Sequence, residues 1–181
     1  MPAKPKISPM HLIHTYVRAK DGNRPHLMAS AFSATATLEM QVETGAVSFP
    51  PMTQGLEAIT DVLVRRFGQR FENVYTFCLC KPAPDVQTFA CDWLVGMSEK
   101  ASGNVYVGCG RYDWTFAEEP QLRITHLLIR IESMQVLPPS ELNAIMGWLS
   151  RLPYPWCPAA ELASAAPADP SLACIVQFIA R

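Results

Sequence analysis

The sequence Tyr-Val-Gly-Cys-Gly-Arg-Tyr-Asp-Trp-Thr-Phe at residues 106–116 has the pattern of a long β-strand with two different faces. Successive side chains of a strand point to opposite sides of its sheet. One face therefore carries Gly108, Gly110, Tyr112, Trp114 and Phe116, and the other carries Cys109, Arg111, Asp113 and Thr115. One face is aromatic and the other is polar, so the face that lies inside the protein decides what any pocket contains.

Three further segments have the period of two that is typical of strands, and turn residues separate them. They span residues 74–81, 86–97 and 122–137, with turns at 82–85, 100–104 and 118–121. Four consecutive strands joined by turns form an antiparallel meander. Because the helical patterns lie mostly before this meander, the sequence predicts an α+β fold with a curved sheet packed on N-terminal helices.

The helical segments are marked by apolar residues three and four positions apart. Ser8 is placed to cap a first helix that ends at Asp21-Gly22-Asn23, and Pro25 begins a short second helix. The clearest helix follows Gly55, and residues 35–42 and 46–49 before it form a weaker strand and a short extended piece. An additional helix is predicted after Pro138 and stops at Pro153.

The chain is predicted to form one domain with short additions at both ends. We expect residues 1–7 to be a flexible N-terminus and residues 8–152 to be a single α+β domain that includes the C-terminal helix. Residues 153–181 read as a strap rich in Pro and Ala followed by an apolar tail. About eight apolar residues in that tail predict that it docks, since their exposure to water would cost several kcal/mol at ~25 cal/mol per Å².

The composition excludes several classes of function. The net charge of −1, with basic residues scattered along the chain, argues against a nucleic-acid partner or an anionic membrane surface. No apolar run is long enough to span a membrane and no signal peptide is evident, so we expect a cytoplasmic protein. The six cysteines lack zinc-site spacing and are read as free thiols, and no nucleotide-binding or nucleophile motif is present. The sequence therefore predicts neither a metal nor a cofactor.

The chain has three local motifs: Tyr16-Val17-Arg18-Ala19 before the Asp21-Gly22-Asn23 turn, Gly55-Leu56-Glu57-Ala58-Ile59, and Gly110-Arg111-Tyr112. In this order they resemble the nuclear-transport-factor-two-like superfamily, whose cone-shaped α+β fold encloses a pocket. The last motif is similar to the SnoaL-like polyketide cyclase branch. The resemblance covers residues 8–137 and implies a homodimer formed through the outer face of the sheet. It also implies that the aromatic face of residues 106–116 looks inward.

The residues expected to carry the family's chemistry are partly missing. The resemblance implies a catalytic base near position 40 in the ketosteroid isomerase branch, where this chain has Met40, and an Asp at position 114 in the SnoaL-like branch, where it has Trp114. What can be carried over is a pair of pocket-facing phenols, Tyr16 and Tyr112, as hydrogen-bond donors.

The candidate bases are Asp92, within an apolar strand, and His26, near the start of the second helix. If the turn at 100–104 pairs residues whose numbers sum to an even value near 202, Asp92 faces Gly110 and shares the pocket with Tyr112. If the register differs by one, Asp92 joins Arg111 and Asp113 on the outside. Both registers are compatible with the sequence. A salt bridge to Arg111 is the structural alternative to a catalytic role.

Two functions follow from these features. The first is a cofactor-free isomerase, dehydratase or cyclase of the SnoaL-like type, acting on a small apolar carbonyl or hydroxyl compound with Tyr16, Asp92, Tyr112 and His26 as catalytic residues. The second is a non-catalytic ligand-binding or assembly module of the same fold, favoured by the missing acids. In either case the predicted lining of the pocket is apolar: Phe32, Met40, Trp93, Trp114 and Phe116.

Overall fold

A six-stranded, strongly curved sheet organises the protein, for which the computed structural model describes residues 6–181. The strands lie in the order β2-β1-β6-β5-β4-β3, and only the pairing of β1 with β6 is parallel. The predicted flexible N-terminus at 1–7 falls mostly outside the described residues. The strands are β1 (Phe32–Val42), β2 (Met52–Gln54), β3 (Phe71–Cys78), β4 (Thr88–Glu99), β5 (Val105–Glu118) and β6 (Leu122–Leu137).

Helices precede, interrupt and follow this sheet. Ser8 accepts a hydrogen bond from the amide of His11 and begins the first helix, which confirms the predicted cap. A continuous helical segment connects β2 to β3: α3 passes through a wider turn at Asp61–Arg66 into α4. The helices are α1 (Pro9–Asp21), α2 (Met28–Ala31), α3 (Leu56–Thr60), α4 (Phe67–Arg70), α5 (Leu142–Leu149), α6 (Ala159–Ser164) and α7 (Ala173–Ile179).

The register between β4 and β5 fixes the two faces of the sheet. Paired residues have numbers that sum to 203, so Cys91 lies opposite Tyr112 and Asp92 lies opposite Arg111. Residues directly opposite in an antiparallel pair share a face. Tyr112 therefore lies on the concave inner face with Cys91, and Asp92 lies on the outer face with Arg111.

An irregular register between β5 and β6 accompanies the bend of the sheet. The pairing shifts by one residue between Cys109 and Gly110, as at a β-bulge, which bends the bulged strand and increases its twist. A Cβ atom at position 110 would meet the backbone carbonyl of Arg130 and the ring of Trp93. Only glycine allows the strands to approach this closely beneath the aromatic rings.

The concave face is filled by the helices that precede the meander. Helix α1 lies across it and buries Leu12, Ile13, Tyr16 and Val17 completely. The segment from α3 to α4 closes the other side of the concavity with apolar side chains that belong to the same core. The predicted α+β class, with a curved sheet on N-terminal helices, is confirmed.

The convex face carries a second core built by the C-terminal segment. Its strand residues and helix residues form one buried cluster: Phe77, Leu94, Val105, Val107, Cys109, Leu137, Ile145, Trp148, Leu149, Leu172, Ile175 and Ile179. Helices α5 to α7 therefore cover part of the outer face, through which the family resemblance implies a homodimer. The protein has three layers: inner helices, sheet and outer helices.

The strap at 153–158 passes along the β3 edge of the sheet. Cys78 donates its backbone N–H to the carbonyl of Pro155 at 2.7 Å, and Cys157 donates to the carbonyl of Cys78 at 3.1 Å. These bonds make a parallel bridge between Cys78 and Trp156. The strap thus connects the outer helices to the edge of the strand that borders the inner face.

Candidate functional site

A small cavity lies between the concave face of the sheet and the helices. Its volume is about 50 Å³, a third of the roughly 150 Å³ apolar cavity that binds benzene in a well-studied case. Most of its lining is apolar: Met40, Val47, Phe49, Leu63, Phe67, Trp93, Val95, Met97, Ile129, Ile131 and Met134. The polar exceptions are Tyr16, Lys20, Thr76 and Tyr112.

Lys20 is the one charged residue in the described lining of this cavity. It follows Tyr16 by four positions on α1, so both side chains lie on the buried face of the helix. The residue is 7% exposed. Its ammonium donates to Oδ1 of Asp21 at 2.7 Å and to the hydroxyl of Thr76 at 2.7 Å, and it lies 4.6 Å from the ring centroid of Phe67. A buried charge requires such partners.

Asp21 anchors the ammonium from behind and does not itself line the cavity. Its Oδ1 also accepts the hydroxyl of Thr76 at 2.8 Å, while its Oδ2 accepts the backbone N–H of Thr76 at 2.7 Å and the hydroxyl of Tyr154 at 2.7 Å. The side chain is 5% exposed. Four donors from α1, β3 and the strap therefore fix one carboxylate.

Aromatic rings form the wall beside Lys20. Tyr16 contacts Tyr112 and Trp114 edge to face, with ring centroids 6.3 and 5.5 Å apart, and Trp93 stacks on Tyr112 at 5.5 Å. Burial raises the pKa of both phenols, Tyr16 and Tyr112, so they remain protonated donors at neutral pH. The hydroxyl of Tyr16 and the indole N–H of Trp93 have no hydrogen-bond partner among residues 6–181.

The structure brings together part of the predicted site. Tyr16, Tyr112, Met40 and Trp93 line the cavity. The other predicted lining residues are buried in the same core but lie outside the cavity wall: Phe32, Trp114 and Phe116. Phe32 and Trp114 pack against the ring of Tyr16 and so support the wall from behind.

Asp92 and His26, the predicted bases, do not line the cavity, and of the two registers compatible with the sequence the structure has the odd-numbered one. Asp92 is on the outer face and accepts a hydrogen bond from Arg111 at 3.1 Å, with Arg181 at 3.4 Å. The physical reason is the register of β4 and β5, whose odd sum turns Asp92 away from Tyr112. His26 is exposed on the helical turn before α2.

Sequence reasoning missed Lys20, Thr76 and Tyr154. The signal for Lys20 was present, because it shares the apolar face of α1 with Tyr16 at the i,i+4 spacing. Thr76 and Tyr154 come from β3 and the strap, 55 and 133 residues from Asp21. No local pattern in the sequence indicates contacts at such separations.

The cavity offers donors and lacks a side-chain base. None of the described lining residues is Asp, Glu or His. No group of three or more described His, Cys, Asp or Glu residues is arranged to hold a metal ion, and no described helix is long and apolar enough to cross a bilayer. What the arrangement can do is hold and polarise a hydrogen-bond acceptor in apolar surroundings.

Comparison with known proteins identifies the fold. No protein-family model matches the chain, and no curated protein sequence matches it. A nuclear transport factor 2 (NTF2-like) superfamily protein from Salmonella enterica has a TM-score of 0.55 at 17% identity, covering 68% of this chain and 88% of that one. The fold is therefore that of NTF2-like proteins.

Two further solved structures carry names that refer to activities. A putative isomerase from Rhodopseudomonas palustris has a TM-score of 0.57 at 11% identity, covering 80% of this chain and 99% of that one. A hexachlorocyclohexane dehydrochlorinase from Novosphingobium barchaimii has a TM-score of 0.57 at 14% identity, covering 70% of this chain and 85% of that one. At these identities the likeness establishes the fold alone.

Proposed function

We propose that this protein binds a small, mostly apolar, neutral molecule through one hydrogen-bond acceptor, such as a ketone oxygen, held at Lys20. The observation that carries the proposal is Lys20, the one charged residue in the described lining of a mostly apolar cavity. An ammonium has three donors, and Asp21 and Thr76 use two of them. The third makes no hydrogen bond among residues 6–181 and has only the ring of Phe67 nearby, at 4.6 Å from its centroid, so a ligand acceptor could take it.

The polar groups around the cavity support an acceptor as the ligand's polar group. Tyr16 and Trp93 each have a buried donor without a partner among the described residues. The hydroxyl of Thr76 has no free donor, since its O–H donates to Asp21 and one of its lone pairs accepts from Lys20. Buried polar atoms are nearly always hydrogen-bonded in native proteins, and an exception calls for a ligand, ion or water.

The charge balance favours a neutral ligand over an anion. The positive charge of Lys20 is matched by Asp21, whose Oδ1 lies 2.7 Å from the ammonium. A carboxylate entering the cavity would lose its hydration and would meet a pair that is already neutral. A ketone loses less hydration and gains the same donor.

The small volume is compatible with binding because the wall can adapt. Met40, Met97 and Met134 all line the cavity, and methionine side chains change shape at low cost. Rotation of these three side chains would enlarge the space for a ligand. The proposed ligand is therefore a compact molecule, such as a five-membered cyclic ketone.

A catalytic role for the same site has one specific observation in its favour. Lys20 and Asp21 form a buried, hydrogen-bonded pair at the cavity wall, and such a pair can stabilise negative charge that develops on a carbonyl oxygen. This chemistry would serve a cofactor-free isomerase or dehydratase of the SnoaL-like type. The described lining includes no carboxylate or imidazole that could act as a base. We therefore propose ligand binding as the main function and catalysis as the second candidate.

The test uses the cavity methionines as reporters. Protein with 13C-labelled methionine methyl groups is titrated with cyclopentanone, with methylenecyclopentane of the same shape, and with cyclopentanecarboxylate. We expect shifts at Met40, Met97 and Met134, with the ketone binding about tenfold more tightly than the hydrocarbon, as one hydrogen bond to a charged donor provides.

Two variants decide whether Lys20 causes the preference. Lys20→Met should reduce the preference for the ketone over the hydrocarbon, whereas Lys81→Met, which changes an exposed lysine outside the cavity, should keep the wild-type ratio. Equal binding of all three probes to the wild-type protein, or tighter binding of the carboxylate, would refute the proposal. Turnover of a ketone that Lys20→Met abolishes would support the catalytic role.

A further inference from the structure

The strap contacts the candidate site through a single hydroxyl group. Tyr154 donates to Oδ2 of Asp21 at 2.7 Å. This oxygen has one other partner, the backbone N–H of Thr76 at 2.7 Å, while Oδ1 carries Lys20 and the hydroxyl of Thr76. Each oxygen of the Asp21 carboxylate thus accepts from two donors. Tyr154 is the donor that belongs to the strap, whereas the others belong to α1 and β3.

We propose that Tyr154 is a positioning residue: its hydroxyl fixes the carboxylate of Asp21, and Asp21 in turn aims the ammonium of Lys20 into the cavity. The inference rests on the proposed function, since it concerns the same donor. It assigns the C-terminal strap to the site, in addition to its part in covering the outer face of the sheet.

The geometry of the carboxylate supports this assignment. With both donors present, Oδ2 is held from β3 and from the strap, so rotation about the Cβ–Cγ bond would break two bonds to one oxygen. Without the Tyr154 hydroxyl, only the amide of Thr76 restrains that oxygen. Hydrogen bonds to an ionised acceptor are short and strong, so the loss of one of them loosens the partner that orients Lys20.

The strap is held in place by contacts that do not involve the hydroxyl. The ring of Tyr154 packs edge to face on Tyr75 and Phe77, with centroids 5.9 and 5.8 Å apart. Two backbone hydrogen bonds at Cys78 fix the chain on either side of Trp156. Removing only the hydroxyl should therefore leave the strap docked, which allows positioning to be separated from attachment.

The Tyr154 ring crosses the edge of the sheet. Tyr75 and Phe77 point to the outer face, where Phe77 belongs to the outer core, whereas Thr76 points to the cavity. The ring rests on the outer side while the hydroxyl reaches an acid at the inner site. Tyr154 itself is 41% exposed. Tyr154 therefore contacts solvent, the outer face of the sheet and the buried Lys20–Asp21 pair.

The test follows the ammonium of Lys20 directly by 15N NMR of lysine-labelled protein, measuring how fast its protons exchange with water. In Tyr154→Phe we expect exchange to be about tenfold faster, the effect of one lost hydrogen bond to a charged group. The matched control is Tyr75→Phe, which removes a hydroxyl from a neighbouring ring and should leave the rate unchanged. Asp21→Asn removes the charge of the ion-pair partner of Lys20 and should give the largest increase in the exchange rate.

Strap attachment is measured in the same samples by amide hydrogen exchange at Cys78 and Cys157. Faster exchange at Lys20 with both amides still protected supports positioning. An unchanged rate at Lys20 overturns the proposal. Faster exchange at Lys20 together with loss of protection at the two amides also overturns it, since Tyr154 would then be only a structural attachment.

The same variants separate this inference from the proposed function. If Tyr154 positions Lys20, the preference of the protein for cyclopentanone over methylenecyclopentane falls in Tyr154→Phe, while affinity for the hydrocarbon stays constant. If the wild-type protein shows no such preference, the proposed function fails, but the exchange rate at Lys20 still reports whether Tyr154 fixes the pair.

Discussion

The Lys20→Met substitution should destabilise the protein strongly, because it leaves Asp21 as a buried charge without its ion-pair partner. The two side chains are 8% and 5% exposed. Removing one member of such a pair typically costs about 3–5 kcal/mol. Asp21 keeps three hydrogen bonds from Thr76 and Tyr154, which stabilise its charge, so we expect the lower end, about 3 kcal/mol.

The measurement is urea unfolding at neutral pH, which gives the free energy of unfolding. For a chain of this length, the same loss of about 3 kcal/mol would also lower the melting temperature by roughly 6–12 °C. The control is Lys6→Met, because the Lys6 and Asp85 side chains form an ion pair that is 79% and 76% exposed. An exposed pair of this kind contributes little to stability, because water and salt screen it.

A double variant shows whether the charge of Asp21 is the cause. Lys20→Met combined with Asp21→Asn removes the charge together with its partner, so it should recover at least ~1 kcal/mol relative to Lys20→Met alone. A Lys20→Met variant as stable as Lys6→Met would refute the argument, because the pair would then be accessible to water. The same result would weaken the case for Lys20 as a buried donor.

Three further outcomes are expected. Tyr16→Phe should raise the free energy of unfolding in urea by about 1 kcal/mol, because it removes a buried hydroxyl that lacks a partner, yet it should weaken cyclopentanone binding in the methionine titration. Asp92→Asn should change stability by ~1 kcal/mol or less and leave probe binding unchanged, since its partner Arg111 is on the outer face; a lost probe site would contradict this. The pKa of His14 is lowered by burial and by Arg18. The imidazole of His14 therefore takes up a proton more readily in the unfolded chain, and stability should fall as pH drops below about 6.5. In His14→Asn the urea midpoint should depend less on pH between pH 7.5 and 5.

The main helices and strands of the fold could be predicted because each has a local period, whereas β2, expected at 46–49, and α6, in the expected strap, were not predicted. The alternation at 106–116 and the apolar spacing after Gly55 place a strand and a helix where the structure has β5 and the α3 to α4 segment. Periodicity is a property of neighbouring residues, so one chain is sufficient to reveal it. The order of helices and strands then restricts the fold to the α+β class.

The register of β4 and β5 could not be predicted, because it depends on one residue in the connecting turn. Glu99 donates its N–H to Asn104, and Gly103 closes the turn with a φ of 74° and a bond to the carbonyl of Glu99. Residues 99 and 104 are paired, and their numbers have an odd sum. The same sum holds for every pair along the two strands, including Asp92 and Arg111. Composition alone does not distinguish a four-residue loop from a five-residue loop here.

The burial pattern along β5 shows how far the C-terminal helices cover the outer face of the sheet. Residues 105–110 are buried without alternation, whereas from Arg111 onward buried and partly exposed residues alternate. A strand stretch that is apolar on both faces must be covered on both sides, and helices α5 to α7 supply the outer cover of Val107 and Cys109. The change at Arg111 therefore marks the point on β5 where the cover by helices α5 to α7 ends. Arg181, the last residue, reaches Asp92 at this boundary. It follows that any homodimer formed through the outer face would have to use its polar half, where charges rather than apolar area would determine specificity.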